Sequence, residues 1–510
     1  MSIDGHSLDL EQFRRIVYEN EPVILDKEAL VRVEESYHFL CSFATDKVIY
    51  GINTGFGPMS QNLIPEEKLK ELQYNIIRSH SSGMGGYLEE AESRAILLAR
   101  LNCLMLGYSG VHPDLVKLMG SMLEHCISPC IPIHGGVGAS GDLVQLAHLG
   151  LALIGEGEVY HYGEIVPSQE AFADIGLEPL KISLREGISL MNGVSGMTGV
   201  AALSLIRATN ALQWSVALSS LINELVESYD DHFSEELNRA KLHQGQQVVA
   251  AMMRSLLAGS RLIQSRGAHC YPSPDNLILQ KKLQETYSLR CIPQVVGPIL
   301  DTLMYTCKVV ENEMNSNSDN PIVDAVAKNV FHGGNFHGDY ISMEMDKLKI
   351  AMTKLSVLSE RQLNFLLNPR INNLLPPFIC RGMLGLNFGL QGIQYTATST
   401  TAENIMLSNP MCVHNIPSNN DNQDVVSMGF NSAVITGRVV ANTLDVLAVE
   451  ASAVVQAVDF LDAEEKLAPA TAEIYRRLRS VFPVMNGDQP QYKKLKALKS
   501  LLETVNLQLL

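Results

Sequence analysis

Apolar positions recur at helical spacing along most of the chain. A period near 3.6 predicts helices over 8–20, 27–44, 66–80, 89–107, 113–126 and 143–154. KVIYGINTGFGPMS (47–60) predicts a short strand running into a loop that holds Gly51, Gly55, Gly57 and Pro58. PCIPIHGGVGASG (129–141) contains two prolines and four glycines and cannot be helical. Asp142 follows it, placed to cap the helix over 143–154. The texture changes over 157–185: EVYHYGEIVPS predicts a small hairpin about Gly163, and LKISLREG a further strand. From about 195 onward the pattern is helical over 197–229, 233–258, 296–314, 343–367 and 424–460. Strands do not alternate with these helices, which disfavours a doubly wound parallel sheet. The expected fold is mainly α. A long-helix bundle (196–510) carries a smaller mixed α/β N-terminal part (1–195) with the glycine-rich loops.

Composition narrows the partners. Of 510 residues, 46% are hydrophobic and 18% charged, enough for a large core and for further surface hidden in an oligomer. A net charge of −16 argues against nucleic acid and against an anionic membrane surface as partners. The charge-free stretch 382–402 is too rich in Gly, Gln, Ser and Thr to cross a bilayer. MSIDGHSLDLEQFRR has neither a basic n-region nor an apolar segment, so no secretory signal is expected. Nine scattered cysteines in an acidic chain read as a reduced, cytoplasmic protein.

Three readings compete for Gly136–Gly141. Literally it fits G-x-G-x-x-G, which would hold a dinucleotide only inside a βαβ unit. It could also be a plain glycine-rich turn before a helix. The third reading uses Ala139-Ser140-Gly141 itself. Attack of the Gly141 nitrogen on the Ala139 carbonyl would close a five-membered ring. Loss of two waters, one from Ser140, would leave a dehydroalanine-type imidazolone, an electrophile made from the chain.

With its neighbours, the segment GGVGASGDLVQLAHLGLALIGEG (135–157) resembles the signature of the aromatic amino acid ammonia-lyases, the histidine, phenylalanine and tyrosine lyases with related aminomutases. YGINTGFGP (50–58), LMNGVSGMTG (190–199), YSLRCIPQVVGP (287–298), NSDNPIV (317–323), GGNFHGD (333–339) and DNQDVVSMG (421–429) resemble that family too, in its order. The resemblance runs from about 10 to 460 and implies a mostly helical homotetramer. It also implies a 4-methylidene-imidazol-5-one formed autocatalytically from Ala139, Ser140 and Gly141, with no external cofactor and no metal. Such an electrophile suits the chemistry, because the β-proton of an α-amino acid is barely acidic and ammonium leaves poorly.

The resemblance assigns further roles. Tyr50, by itself a packing residue at a strand end, becomes the base for the β-proton, on a loop suited to closure. Arg290, otherwise a surface ion-pair residue, becomes the clamp on the substrate carboxylate. Tyr287, three residues earlier and on the same helical face, assists proton transfer or holds the amine side. Asn192 partners the carboxylate or the prosthetic group, and Asn320 and Phe336 line the cavity. His80, in RSHSSG, falls where the family reads the substrate ring.

Histidine lyases have a glutamate where this chain has Gln423, and a neutral amide suits an imidazole less well. A phenyl ring would leave His80 without a partner. A phenol can donate to His80 and accept from it, with Asn419, Asn422 or Gln423 nearby. RSHSSG with NNDNQDVVSMG is similar to a bacterial tyrosine ammonia-lyase group. The expected reaction is therefore L-tyrosine to trans-4-coumarate and ammonia, with histidine as alternative substrate or 2,3-aminomutation as alternative outcome. A zinc site at His125, Cys126, Cys130 and His134, and a metal cluster at His332, His337 and Asp339, are weaker readings. The rivals from other classes are a non-catalytic helical scaffold and a nucleotide-binding protein.

Two outcomes are expected. Mass spectrometry of the intact protein should fall short of the sequence mass by two waters, with the deficit mapped to 139–141. Ser140→Ala should abolish turnover while circular dichroism and assembly stay unchanged; a turning-over enzyme of full sequence mass would defeat the mechanism.

Overall fold

The computed structural model describes residues 1–270 and 282–510, with the side chains of 269 and 270 left aside. It forms two compact units, each assembled from separate stretches of chain. The first comprises Met1–Ile206, Thr306–Asp346 and Pro410–Gly437; the second comprises Arg207–Tyr305, Lys347–Asn409 and Arg438–Leu510. Among the described cysteines no disulfide forms, and the side chain of Cys270 lies outside the described residues.

In the first unit the predicted helices form with small shifts at their ends. Asp9 and Gln12 close a capping box at the start of Leu10–Tyr18, and Asp26 caps Lys27–Phe43. Helix Glu90–Met105 is buried on nearly every side, so no amphipathic stripe survives and Arg94 and Arg100 lie inside the protein. Helix Leu69–His80 packs against Leu143–Leu153, where Gly150 brings the helices close: a Cβ there would stand 3.4 Å from Ile77 Cδ1.

The strands are short. The predicted hairpin forms from Glu158–His161 and Glu164–Pro167, with Tyr162 and Gly163 at positive φ (51° and 80°) as a tight two-residue turn requires. Prolines enter strands after all, at Pro129 and Pro132, because those strands are only two and three residues long. Strand Glu158–His161 follows helix Leu143–Leu153 but pairs antiparallel with Ser128–Pro129, so no parallel βαβ unit surrounds the glycine-rich loop and the dinucleotide reading falls.

Two expected strands do not form. Residues 47–50 turn instead, because Asn53 accepts from the Ile49 N–H at 2.9 Å and donates to the Lys47 carbonyl at 2.8 Å. Ile49 and Ile52 then enter a core with Leu40, Val323 and Val330. In LKISLREG the Ile182 N–H goes to the Tyr74 hydroxyl (3.2 Å) and the Ser183 N–H to Glu186 (2.6 Å). No ladder is built, and helix Glu186–Met191 begins instead.

The second unit is helical among the described residues apart from turns. The continuous helix expected over 233–258 is broken: Ser234 caps Glu235–Arg239, a turn follows, and Gln244–Leu257 resumes. Three helices lie outside the expected spans: Gln391–Leu407, which carries no apolar stripe, and Pro469–Val481 and Tyr492–Thr504, which bury one face through Ile474, Tyr475 and Leu478 and through Leu498 and Leu502. Helix Gly429–Phe460 is long and apolar enough to cross a bilayer, but 83% of its most apolar window is buried inside the protein.

One buried ion pair braces the first unit. Arg185 and Asp319, both wholly shielded, meet through two bonds of 3.1 Å, and Arg185 also donates to the Ser109 and Asn320 carbonyls. Removing one partner strands a charge in the interior. Asp319→Ala should lower the unfolding free energy by about 3–5 kcal/mol, read as an earlier denaturant midpoint.

Candidate active site

The glycine-rich loop is pinned where two backbone segments cross. A Cβ on Gly141 (φ +74°) would stand 1.9 Å from the Gly193 carbonyl oxygen, so only hydrogen fits. That same oxygen accepts the Asp142 N–H at 2.8 Å. On the other side, Ser427 Oγ donates to the Gly138 carbonyl at 3.0 Å, and Met428 N–H donates to Val137 at 3.0 Å. Ala139 is buried with Val426 and Met428.

Asp142 does not cap its own helix. Its Oδ2 instead accepts the Met197 N–H at 2.7 Å, in the first turn of Ser195–Leu225. Burial pushes its pKa up to about 7, against the pull of the Met197 and Gly196 N–H groups and the Arg100 charge. Arg100, fully buried, donates to the Ser189 carbonyl and, at 2.9 Å, to the Asn192 carbonyl, closing the C-terminus of Glu186–Met191.

Ser140 is held at both oxygens. Asn192 Nδ2 donates to its carbonyl at 3.2 Å, and Gln423 Nε2 donates to its Oγ at 2.8 Å. Asn192 Oδ1 is buried with no hydrogen-bond partner among the described residues. Gln423 Oε1 accepts from Ser418 Oγ at 3.1 Å, which fixes the direction of the amide. Between them, Asn419, Asn420 and Asp421 all adopt left-handed φ (56°, 52° and 60°), and the Asn422 N–H closes the turn on the Asn419 carbonyl at 3.2 Å. The Asn419 amide lies against Gly57, where a Cβ would stand 2.7 Å from Nδ2. Tyr50 is half-buried; its Oη accepts the Gly57 N–H at 3.1 Å and its ring meets Phe56 edge-on at 6.2 Å. One cluster in the first unit thus joins Tyr50, Ala139, Ser140, Gly141, Asn192, Asn419 and Gln423.

His80 ends helix Leu69–His80, half-buried. Its Nδ1 lies 3.0 Å from the Ile76 carbonyl, which can only accept, so Nδ1 carries the proton and Nε2 is left as an acceptor. Burial lowers its pKa, with the Ile76 carbonyl pulling the other way. Asn320 Oδ1 accepts the Gly333 N–H at 2.9 Å, and Phe336 is half-buried beside His337, whose Nε2 donates to the Val425 carbonyl at 3.3 Å. Among the described residues no three His, Cys, Asp or Glu side chains gather as a metal would need. Tyr287 and Arg290 belong to the second unit, on helix Tyr287–Arg290. The guanidinium lies over the phenol ring at 4.9 Å, as the spacing of three predicts, and Tyr287 is 71% exposed. Arg290 Nε is buried without a hydrogen-bond partner among the described residues.

Sequence reasoning missed Arg100, Ser427 and Gln73, and misread Asp142. Arg100 and Gln73 had a signal: each interrupts an apolar helical run with a group that must find partners once buried. Ser427 had none, because its role is set by a loop 289 residues away in sequence.

Asp142, Glu186 and Glu313 are all pushed by burial up to about 7. The unfolded chain releases these protons near pH 4, while the native protein keeps them, so stability should fall as pH rises from about 4 to about 7. Asp142→Asn keeps an acceptor for Met197 and removes one titration. Denaturation at several pH values should show a shallower decline in that variant than in the parent.

Known proteins place this arrangement. The sequence profile of the aromatic amino acid lyases matches residues 8–480. A tyrosine 2,3-aminomutase of Myxococcus sp. (strain Mx-B0) is 40% identical over 92% of this chain and 90% of its own length. A histidine ammonia-lyase of Geobacillus sp. (strain WCH70) is 38% identical over 99% of this chain and 96% of its own. The crystal structure of the tyrosine aminomutase from Streptomyces globisporus superimposes with a TM-score of 0.94 at 38% identity, covering 99% of this chain and 96% of that one. With ordered motifs, helical fold and near full-length similarity in agreement, the chain belongs to the aromatic amino acid lyase family.

Proposed function

We propose that the protein eliminates ammonia from L-tyrosine to give trans-4-coumarate, using a methylidene-imidazolone formed from Ala139, Ser140 and Gly141. The observation that carries this reading is the grip on Ser140, at its carbonyl by Asn192 and at its hydroxyl by Gln423, beside a glycine with no room for a side chain. The residues present suit the group. Ring closure needs a glycine nitrogen free to approach the Ala139 carbonyl, and a donor on the Ser140 carbonyl draws electron density from a conjugated methylidene. When formed, the group supplies an electrophile for the substrate amine and so eases the departure of ammonia.

The chain's own residues do the rest. Tyr50 Oη, its direction set by the Gly57 N–H, takes the β-proton. The C–H electron pair becomes the Cα–Cβ double bond, and ammonia leaves with the C–N pair. The family resemblance assigns the substrate carboxylate to Arg290, whose buried Nε has no partner among the described residues and whose guanidinium lies over the Tyr287 ring, and gives Tyr287 the proton transfer or the amine side. Asn320 and Phe336 line the cavity. His80 reads the ring: a neutral imidazole with Nε2 as acceptor matches a phenol O–H, and Gln423, Asn419 and Asn422 complete the polar end. We place the enzyme in the cytoplasm as a homotetramer, a reading supported by the low charge content and nine scattered cysteines.

A second reading, tyrosine 2,3-aminomutation, is favoured by relatives named for that activity. Incubation with tyrosine, histidine and phenylalanine side by side separates the outcomes. Coumarate supports the lyase, β-tyrosine the mutase, and urocanate alone defeats the tyrosine reading. His80→Phe should shift the kcat/KM ratio from tyrosine toward phenylalanine by about 10-fold or more. Unchanged selectivity would remove His80 from this role.

A further inference from the structure

Gln73 sits inside helix Leu69–His80 with its side chain wholly shielded from water. Its Nε2 donates to the Gly51 carbonyl at 3.0 Å, one residue beyond Tyr50. Its Oε1 accepts the Ile188 N–H at 3.2 Å, in the first turn of Glu186–Met191, where a helix offers no acceptor of its own. That short helix ends at Asn192, whose N–H bonds the Ile188 carbonyl at 2.8 Å. Gly187 presses on the Gln73 backbone as well: a Cβ there would stand 2.4 Å from the Gln73 carbonyl oxygen. The adjacent Tyr74 hydroxyl takes the Ile182 N–H at 3.2 Å. Gln73 and His80 are seven residues apart, two turns along one face of their helix.

One amide therefore joins the Tyr50 turn, the segment leading to Asn192 and the helix that carries His80. We propose that Gln73 is a positioning residue for the elimination, holding the Tyr50 turn in register with the Asn192 segment. The inference rests on the roles proposed above for Tyr50 and Asn192. A primary amide donates to Gly51 and accepts from Ile188 at once whatever the pH; an ionised carboxylate only accepts, and a thioether does neither with any strength.

The test uses the full-length protein with Gln73→Glu and Gln73→Met. Met keeps the volume and loses both bonds; Glu keeps the acceptor for Ile188 and, assayed at a pH where its carboxyl is ionised, sets a carboxylate against the Gly51 carbonyl. Turnover is normalised to the fraction of protein carrying the two-water mass deficit. Normalised kcat for tyrosine should fall about 10- to 100-fold in Gln73→Glu, with KM within about 3-fold of the parent. Amide hydrogen exchange over 47–60 should quicken in both variants. Parental kcat and parental exchange in Gln73→Met would overturn the proposal. So would a smaller folded fraction that retains full normalised kcat, because Gln73 would then serve the fold alone. If Gln73→Glu yields no folded protein, Gln73→Met decides by the same comparison. A parent that lacks the mass deficit or releases no ammonia defeats the proposed function instead, while exchange over 47–60 still reports on the Gln73 bonds.

Discussion

Two backbone segments cross at Gly141 and Gly193 with room for hydrogen alone, and the candidate site is arranged around that crossing. Three helix ends converge there. Leu143–Leu153 and Ser195–Leu225 present their N-termini, and Glu186–Met191 presents its C-terminus. Two of these ends, and the far end of the short helix, are closed by neighbours. Asp142 reaches across to the Ser195–Leu225 helix, Arg100 takes the last carbonyls of Glu186–Met191, and Gln73 takes a first-turn N–H of that same short helix. Helix ends are where unsatisfied backbone groups accumulate, so closing three of them with buried side chains makes the region stiff. Two helix N-termini also follow directly on the crossing, and their dipoles favour electron density on the Ser140 carbonyl.

Stiffness here has an electrostatic cost that other contacts offset. Asp142 sits in an interior that favours its neutral form, yet it accepts backbone N–H groups that favour the anion. The Arg185–Asp319 pair solves the same problem differently, with full mutual neutralisation and two extra carbonyl acceptors. Both arrangements brace the segments on which Asn192 and Asn320 lie, so buried charge near the site serves position more than net stability.

Much of this was legible in the sequence where local rules dominate. The helices expected over 8–20 and 27–44 form, and Tyr162-Gly163 turns the hairpin expected about Gly163, while Ser234 caps a new helix inside the span 233–258 that apolar spacing alone reads as continuous. The motifs around Tyr50, Ser140, Asn192 and Gln423 pointed to residues that the fold does bring together. Failures came where side chains, near and far in sequence, captured backbone donors. The strands expected at 47–50 and 180–187 were lost to Asn53, Tyr74 and Glu186, which spend those N–H groups before a ladder can form. Asp142 looked like a local cap because proximity in sequence says nothing of the helix 53 residues onward whose first turn needed an acceptor.

The turn at Asn419–Asp421 has a consequence for which positions beside Ser140 can vary. Three consecutive left-handed residues other than glycine tolerate few replacements, chiefly among Asn, Asp and Gly. Gln423, just beyond them, bears no such backbone restriction and bonds through its side chain alone. A change at position 423 therefore alters what meets the Ser140 hydroxyl by a single letter, set in a frame whose neighbours admit few alternatives, and leaves the strained turn and the crossing behind it untouched.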